Sequence, residues 1–224
     1  AALRPEIAVV TNVDLDHHTE FASRADVADL FDAWLAEVPH VVRGETLPPA
    51  QFELAVHGEH NRKNAAVAVE ALVLAGVEQD AAERALADFR GAGRRLQLRS
   101  DGAVRVYDDY AHHPAEIEAT VAAVRELGGA RVLVLFQPHL YSRTRHLARE
   151  FAQALSAADL VAVTDVYAAR EQAVVGVDGK LIVDALTEIR PGMTVAWTPT
   201  IEEGVRFVSR RARDGDVILT MGAG

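Results

Sequence analysis

Four stretches of the 224-residue chain gather side chains able to do chemistry. The first, Thr11-Asn12-Val13-Asp14-Leu15-Asp16-His17-His18, sets acids and histidines directly after an apolar run. Such a cluster can ligate a metal or move protons, and Asp with His suits Mg2+ when water and phosphate oxygens complete the shell. The same residues serve as caps and turns. The second, His60-Asn61-Arg62-Lys63-Asn64, opens a helical pattern. Asn61 and Asn64 share one face at its positive end, where side-chain amides can read both donor and acceptor edges of a base. Asn61 is equally suited to an N-cap.

The third stretch runs Asp108-Asp109-Tyr110-Ala111-His112-His113-Pro114. Its acids can cap the turn that follows or face a ligand. Its two histidines can donate or accept near pH 7, and the helix start behind them offers N–H groups to an anion. The fourth is Gln137-Pro138-His139-Leu140-Tyr141-Ser142-Arg143-Thr144. Arg143 and Arg145 can clamp a carboxylate or phosphate there, or simply solubilise the surface.

These residues need elements to hold them. The β-branched run over 7–11 predicts a buried strand within a few residues of the first residue, as in a piece of something longer. Ser23 predicts a cap for a helix whose apolar stripe is Val27, Leu30, Phe31, Trp34, Leu35 and Val38. Residues 51–57 alternate like a strand, 61–75 read as a helix closed by Gly76, and 80–89 as a short third helix. The glycine- and arginine-rich stretch 90–95 has no hydrophobic period and predicts a hinge. Beyond it, strands are predicted at 104–107, 132–136, 160–164, 194–197 and 217–220, with helices at 115–127, 144–157, 179–189 and 201–212. Strand and helix in alternation predict a doubly wound, mostly parallel sheet, preceded by a hairpin at Ser100-Asp101-Gly102. Ligands sit outside the carboxyl ends of such strands, where the third and fourth stretches fall.

Composition narrows the chemistry. The chain has no cysteine, which excludes disulfide scaffolds, thiolate zinc sites and thiol nucleophiles. Its formal net charge is −10, and the 23 basic residues include only two lysines, Lys63 and Lys180, so 21 are arginine. An acidic chain is a poor nucleic-acid binder, though arginines held in loops still suit small anions. No apolar run is long enough to span a bilayer and no signal-peptide layout opens the chain, which predicts a soluble cytoplasmic protein. There is no Walker A loop, no GxGxxG and no GxSxG.

Six stretches, TNVDLDHH (11–18), GEHNRKNAA (58–66), FRGAGRR (89–95), DDYAHHPAEI (108–117), FQPHLYSRT (136–144) and DVYAAREQAVVGV (165–177), resemble in type and order those of the Mur ligases. The resemblance implies an incomplete P-loop-type ATPase domain over 1–93, followed by a Rossmann-like ligase domain over 94–224. The family's UDP-sugar-binding domain and phosphate loop have no counterpart here. It further implies an ATP- and Mg2+-dependent ligase working through an acyl phosphate, with a chain such as this one inactive alone. FQPHLYSRT and DVYAARE favour the members that join L-alanine to UDP-N-acetylmuramate over those that attach a preformed murein tripeptide. A non-catalytic nucleotide-binding fragment is the other reading.

Residue by residue, His17 resembles the family's magnesium-binding histidine, Asn61 and Asn64 its adenine-contacting asparagines, and Arg95 its hinge arginine that reaches the ATP phosphates. Asp109 matches an acid at the nucleotide ribose or hinge. Tyr110, His112, His139 and Arg143 match the wall where the amino acid and the muramyl carboxylate meet, with His112, His139 and Arg143 as the catalytic set. Leu140 stands where some relatives carry arginine. Closure about 90–95 is implied to bring that wall onto the nucleotide.

Overall fold

A computed structural model describes residues 3–15 and 21–224. The chain divides into two compact units, Ala1–Arg90 and Gly91–Gly224.

In the first unit, β1 (Ile7–Val10) pairs in parallel with β2 (His40–Arg43), and α1 (Arg24–Leu35) forms the crossover. Ser23 caps α1 as expected: its hydroxyl accepts the Asp26 N–H while the Asp26 carboxylate accepts the Ser23 N–H. Ala8, Val10 and Leu35 are buried together, with Phe31, Trp34 and Val38 packed against them. Leu30, expected in the same stripe, is 56% exposed. A 3₁₀ turn over Gly44–Thr46 follows β2, and only glycine fits its first position, since a Cβ there would stand 2.5 Å from the Thr11 carbonyl oxygen. The helices α2 (Glu59–Leu74) and α3 (Gln79–Ala87) complete the unit.

Two further expectations fail in this unit. Residues 51–57 form no strand. The flanking Ala50 and the internal Ala55 donate their N–H groups to the carbonyls of Arg62 and Ala87 in the neighbouring helices, so no ladder forms. Asn61 does not cap α2; Gly58 does, at φ +99°. Asn61 lies inside the helix and its amide donates back to the His57 carbonyl at 2.6 Å.

In the second unit, β3 (Gln97–Ser100) and β4 (Arg105–Asp109) form the expected hairpin, and four more strands join them in parallel with β4. These are β5 (Val132–Phe136), β6 (Leu160–Val163), β7 (Thr194–Trp197) and β8 (Val217–Met221), in the order β3-β4-β8-β5-β6-β7. The intervening helices are α4 (Pro114–Glu126), α5 (Tyr141–Leu155), α6 (Lys180–Ile189) and α7 (Ile201–Ser209).

Period-two alternation splits β5 between two cores. Val132, Val134 and Phe136 join Ile117 and Val121 of α4, Phe151 and Leu155 of α5, and Ile182 and Leu186 of α6. Leu133 and Leu135 point the other way, into a smaller cluster with Val208 of α7. Three helices thus cover one face and one covers the other. Every residue of β5 is buried, the signature of a central strand with both faces covered.

Arginines satisfy carbonyls at the helix C-termini on the amino-end side of this sheet. Arg125 donates to the Ala157 carbonyl at 2.7 Å, Arg190 to those of Ser156 and Ala158, and Arg131 to that of Arg211 at 2.8 Å. These are the orphan acceptors that every helix leaves at its end.

Candidate active site

The carboxyl ends of β4, β5 and β6 bring four rings into one row. Tyr110, the residue after β4, has its ring centre 5.0 Å from that of His112. His112 meets His139 edge-on at 5.6 Å, and His139 lies nearly parallel to Tyr167 at 5.8 Å. Three parallel strands of one sheet, β5 and β6 adjacent and β4 one strand away across β8, end on the same side and gather residues 110, 139 and 167, which lie far apart in sequence.

Local chemistry orients each ring. His112 Nδ1 sits 2.8 Å from the Tyr110 carbonyl oxygen and 3.2 Å from the Glu116 carboxylate. Both partners are acceptors, so Nδ1 carries the proton, and in the neutral ring Nε2 is the basic nitrogen. Glu116 also accepts the N–H groups of His112 and His113 at 2.9 and 3.2 Å, fastening this loop to the first turn of α4. His139 takes the opposite tautomer. Its Nδ1 lies 3.1 Å from an Arg143 guanidinium nitrogen, which only donates, so the proton of the neutral ring is on Nε2. Arg143 is 4% exposed and stands one turn into α5.

Arginines 94 and 95 close the other end of the row. Both guanidinium groups lie over the Tyr110 ring, at 5.1 and 5.5 Å from its centre. Arg94 pairs with Asp108 at 3.2 Å, and the second oxygen of Asp108 accepts the Thr220 hydroxyl. Arg95 makes a 3.6 Å contact with Glu116 and its side chain is half exposed, free to turn toward an anion.

Asp109 faces inward. Its carboxylate accepts the Leu96 N–H at 2.6 Å and the Ala111 N–H at 2.7 Å, and the residue is 4% exposed. Burial pushes its carboxyl above the ordinary range, against the lowering effect of those two N–H groups. Asp109 thereby pins residue 96 to the end of β4.

The sequence-expected residues of the second unit, Arg95, Tyr110, His112, His139 and Arg143, therefore stand together. Asn61 and Asn64 lie on α2 of the first unit, with Asn64 exposed one turn in. His17 lies outside the described residues, and among those described no group of three or more His, Asp or Glu comes together as a metal site. Sequence reasoning gave no site role to Arg94, Tyr167 or Glu171, although all three fall inside stretches it singled out. Tyr167 carried a usable signal, since it follows a strand end as His139 does. Glu171 ends the DVYAARE stretch, but nothing in the sequence ties it to residue 142: its carboxylate accepts the N–H and hydroxyl of Ser142, 29 positions upstream. Leu140 adopts φ +69°, with its N–H on the Tyr167 carbonyl at 3.0 Å. The described non-glycine residues with positive φ are Arg94, Leu96, Leu140 and Ala169, all beside this row.

Residues 94–224 match the family described as Mur ligase, glutamate ligase domain. The chain belongs to the Mur ligase family. A Mur ligase relative from Mycobacterium sp. (strain JLS), a UDP-N-acetylmuramate–L-alanine ligase, is 37% identical over 281 residues, which take in 98% of this chain and 57% of the relative. The chain thus spans little more than half the length of that relative. Among solved structures, the UDP-N-acetylmuramate–alanine ligase of Thermotoga maritima shares the fold at TM-score 0.73 and 24% identity, over 98% of this chain and 56% of that one. Folylpolyglutamate synthase of Mycobacterium tuberculosis, complexed with ADP and AMPPCP, does so at TM-score 0.67 and 18% identity, over 97% of this chain and 52% of that one. Among the described residues of this Mur ligase chain, no helix is long and apolar enough to cross a membrane.

Proposed function

We propose that this chain is part of an ATP-dependent amide ligase that joins L-alanine to the carboxylate of UDP-N-acetylmuramate, in the cytoplasm, for peptidoglycan synthesis. The observation that carries the reading is the row Tyr110–His112–His139–Tyr167 with Arg143 behind it, which offers a basic nitrogen and a cation within one wall.

The reaction asks for both. ATP transfers its γ-phosphoryl group to the substrate carboxylate, giving an acyl phosphate and ADP. The alanine amine then attacks the acyl carbon, the C–N bond forms, the C–O bond to phosphate breaks, and phosphate leaves. Alanine arrives as an ammonium ion and must lose a proton before its lone pair can attack. His112 Nε2 is suited to take that proton, because Nδ1–H is held by the Tyr110 carbonyl and the ring cannot swing away. Arg143 and His139 supply positive charge and an N–H for carboxylate and developing oxyanion. Arg95, half exposed beside Tyr110, is suited to reach the phosphates. In the first unit, the Asn61 amide keeps one N–H and its oxygen for adenine after bonding His57, and Asn64 adds a second amide. Magnesium would assist phosphoryl transfer by neutralising phosphate charge. His17 is its candidate ligand in this chain.

The test is turnover of the complete protein, read as L-alanine-dependent release of ADP and phosphate, with L-alanine and murein tripeptide offered in competition. L-alanine is expected to be the preferred acceptor. His112→Ala should lower kcat by about a hundredfold or more while the protein stays folded. No L-alanine-dependent turnover, or a His112→Ala variant as fast as wild type, would refute the reading.

A further inference from the structure

Glu171 lies in the connection between β6 and α6, close enough to His139 to feel its charge, and its carboxylate is fully engaged. One oxygen accepts the Ser142 N–H at 2.9 Å and the other accepts the Ser142 hydroxyl. The Tyr141 N–H bonds it as well. Burial would raise this carboxyl, but the bonds from Ser142 and Tyr141 together with the charge of His139 outweigh it and hold the group below the ordinary carboxylate range. Ser142 directly precedes Arg143 in the first turn of α5, a turn whose N-cap, Leu140, offers no side-chain cap.

The same connection grips the chain on the other side of that turn. The Tyr167 N–H donates to the Pro138 carbonyl at 2.8 Å, the Leu140 N–H donates to the Tyr167 carbonyl at 3.0 Å, and the Tyr167 ring stacks on His139. The Glu171 N–H donates to the Ala168 carbonyl, closing a tight turn through Ala169 at φ +50°. Left-handed conformations at Ala169 and Leu140 persist only where surrounding bonds enforce them. Glu171 and Tyr167 together form a two-point clasp around residues 138–143.

We propose that Glu171 is a positioning residue for the amino-acid acceptor: by tying the β6–α6 connection to the first turn of α5, it sets His139 and Arg143 in the wall that receives the acceptor. It touches no substrate and acts through those two side chains. The proposal deepens the ligase reading and rests on it for the identity of the acceptor.

Two measurements test it. In the complete enzyme, Glu171→Ala should raise the KM for L-alanine about tenfold, as expected for loss of a charge-assisted hydrogen bond, with the KM for ATP changed less than about twofold. Glu171→Gln keeps one carbonyl oxygen and should fall between, and it serves where the alanine variant does not fold. In the 224-residue chain, long-range 1H–15N spectra should show His139 Nδ1 unprotonated, and Glu171→Gln should shift it toward mixed tautomers. An unchanged His139 spectrum, or KM values for alanine and ATP that rise together, overturns the proposal. A complete wild-type enzyme that does not use L-alanine defeats the ligase reading instead, and the histidine spectra still decide whether Glu171 sets His139.

Discussion

The Arg94 guanidinium donates to the main-chain carbonyl of Gly222 at 2.6 Å, linking residues 128 positions apart. The same side chain pairs with Asp108 and covers Tyr110, and its own carbonyl accepts the Tyr110 N–H at 2.7 Å. One arginine thus ties the entry of the second unit to the end of its last strand. Arg94→Ala should lower the stability of the 224-residue chain by about 1–2 kcal/mol, less than a fully buried network would, because the pair is partly solvated. Thermal unfolding checks this. A melting temperature equal to wild type would mean these bonds contribute nothing.

Asp216, 1% exposed, holds Arg131 through both carboxylate oxygens and also accepts the Arg213 N–H. The hydrogen bonds from Arg131 hold the Asp216 carboxyl below its usual value, despite its burial. Its contribution is therefore present above the unfolded carboxylate value, about 3.9, and is lost as pH falls through the lower folded value. Arg131→Met leaves a buried carboxylate without its cation and should cost about 3 kcal/mol at pH 7. Chemical denaturation of the variant at pH 7 measures that loss, and an acid titration of wild type and Asp216→Asn locates the pH dependence.

Asp109 shows the opposite sign. Burial raises its carboxyl in the folded chain, so its contribution is complete below the unfolded value near 3.9 and declines as pH rises through the raised folded value. Asp109→Asn removes that decline. It also sets an amide N–H against one of two N–H donors, Leu96 or Ala111, and should destabilise by about 1–3 kcal/mol at neutral pH. Melting temperatures of both proteins between pH 3 and pH 8 test this: the advantage of wild type should be largest at low pH and narrow as pH rises through the Asp109 titration range.

Gly204 sits where α7 crosses β5, and a Cβ there would fall 2.4 Å from Leu135 Cδ1. Gly204→Ala gains helix propensity but overpacks the smaller core, with a net loss of about 1–3 kcal/mol expected. Equilibrium unfolding decides the sign, and a stabilised variant would show that Leu135 can move aside without strain.

The fold was most legible where periodicity was strongest. The sequence reading of β5 has its observed bounds because its five residues are all apolar. Legibility failed where a partner lies far away in sequence. α5 begins at Tyr141 rather than three residues later because its cap comes from Glu171, not from a neighbour. β2 went unread because its ends are His40 and Arg43, leaving only two apolar residues to signal a strand. In the site, the rim residues after β4 and β5 were readable from strand ends followed by polar side chains. Asp109 was readable as an acid but not as a buried one, since exposure depends on where Leu96 folds back.

The left-handed backbone at Arg94, Leu96, Leu140 and Ala169 has an evolutionary consequence. Each such conformation strains a side-chain-bearing residue by about 1–3 kcal/mol, and glycine would relieve it. At Ala169, whose side chain is a single methyl, selection for heat tolerance alone would drift toward glycine and soften the frame beside His139, whereas at Arg94 the bonds to Asp108 and Gly222 oppose that drift. Laboratory variants that gain melting temperature there are expected to lose turnover, the usual conflict between a relaxed scaffold and a tense active centre.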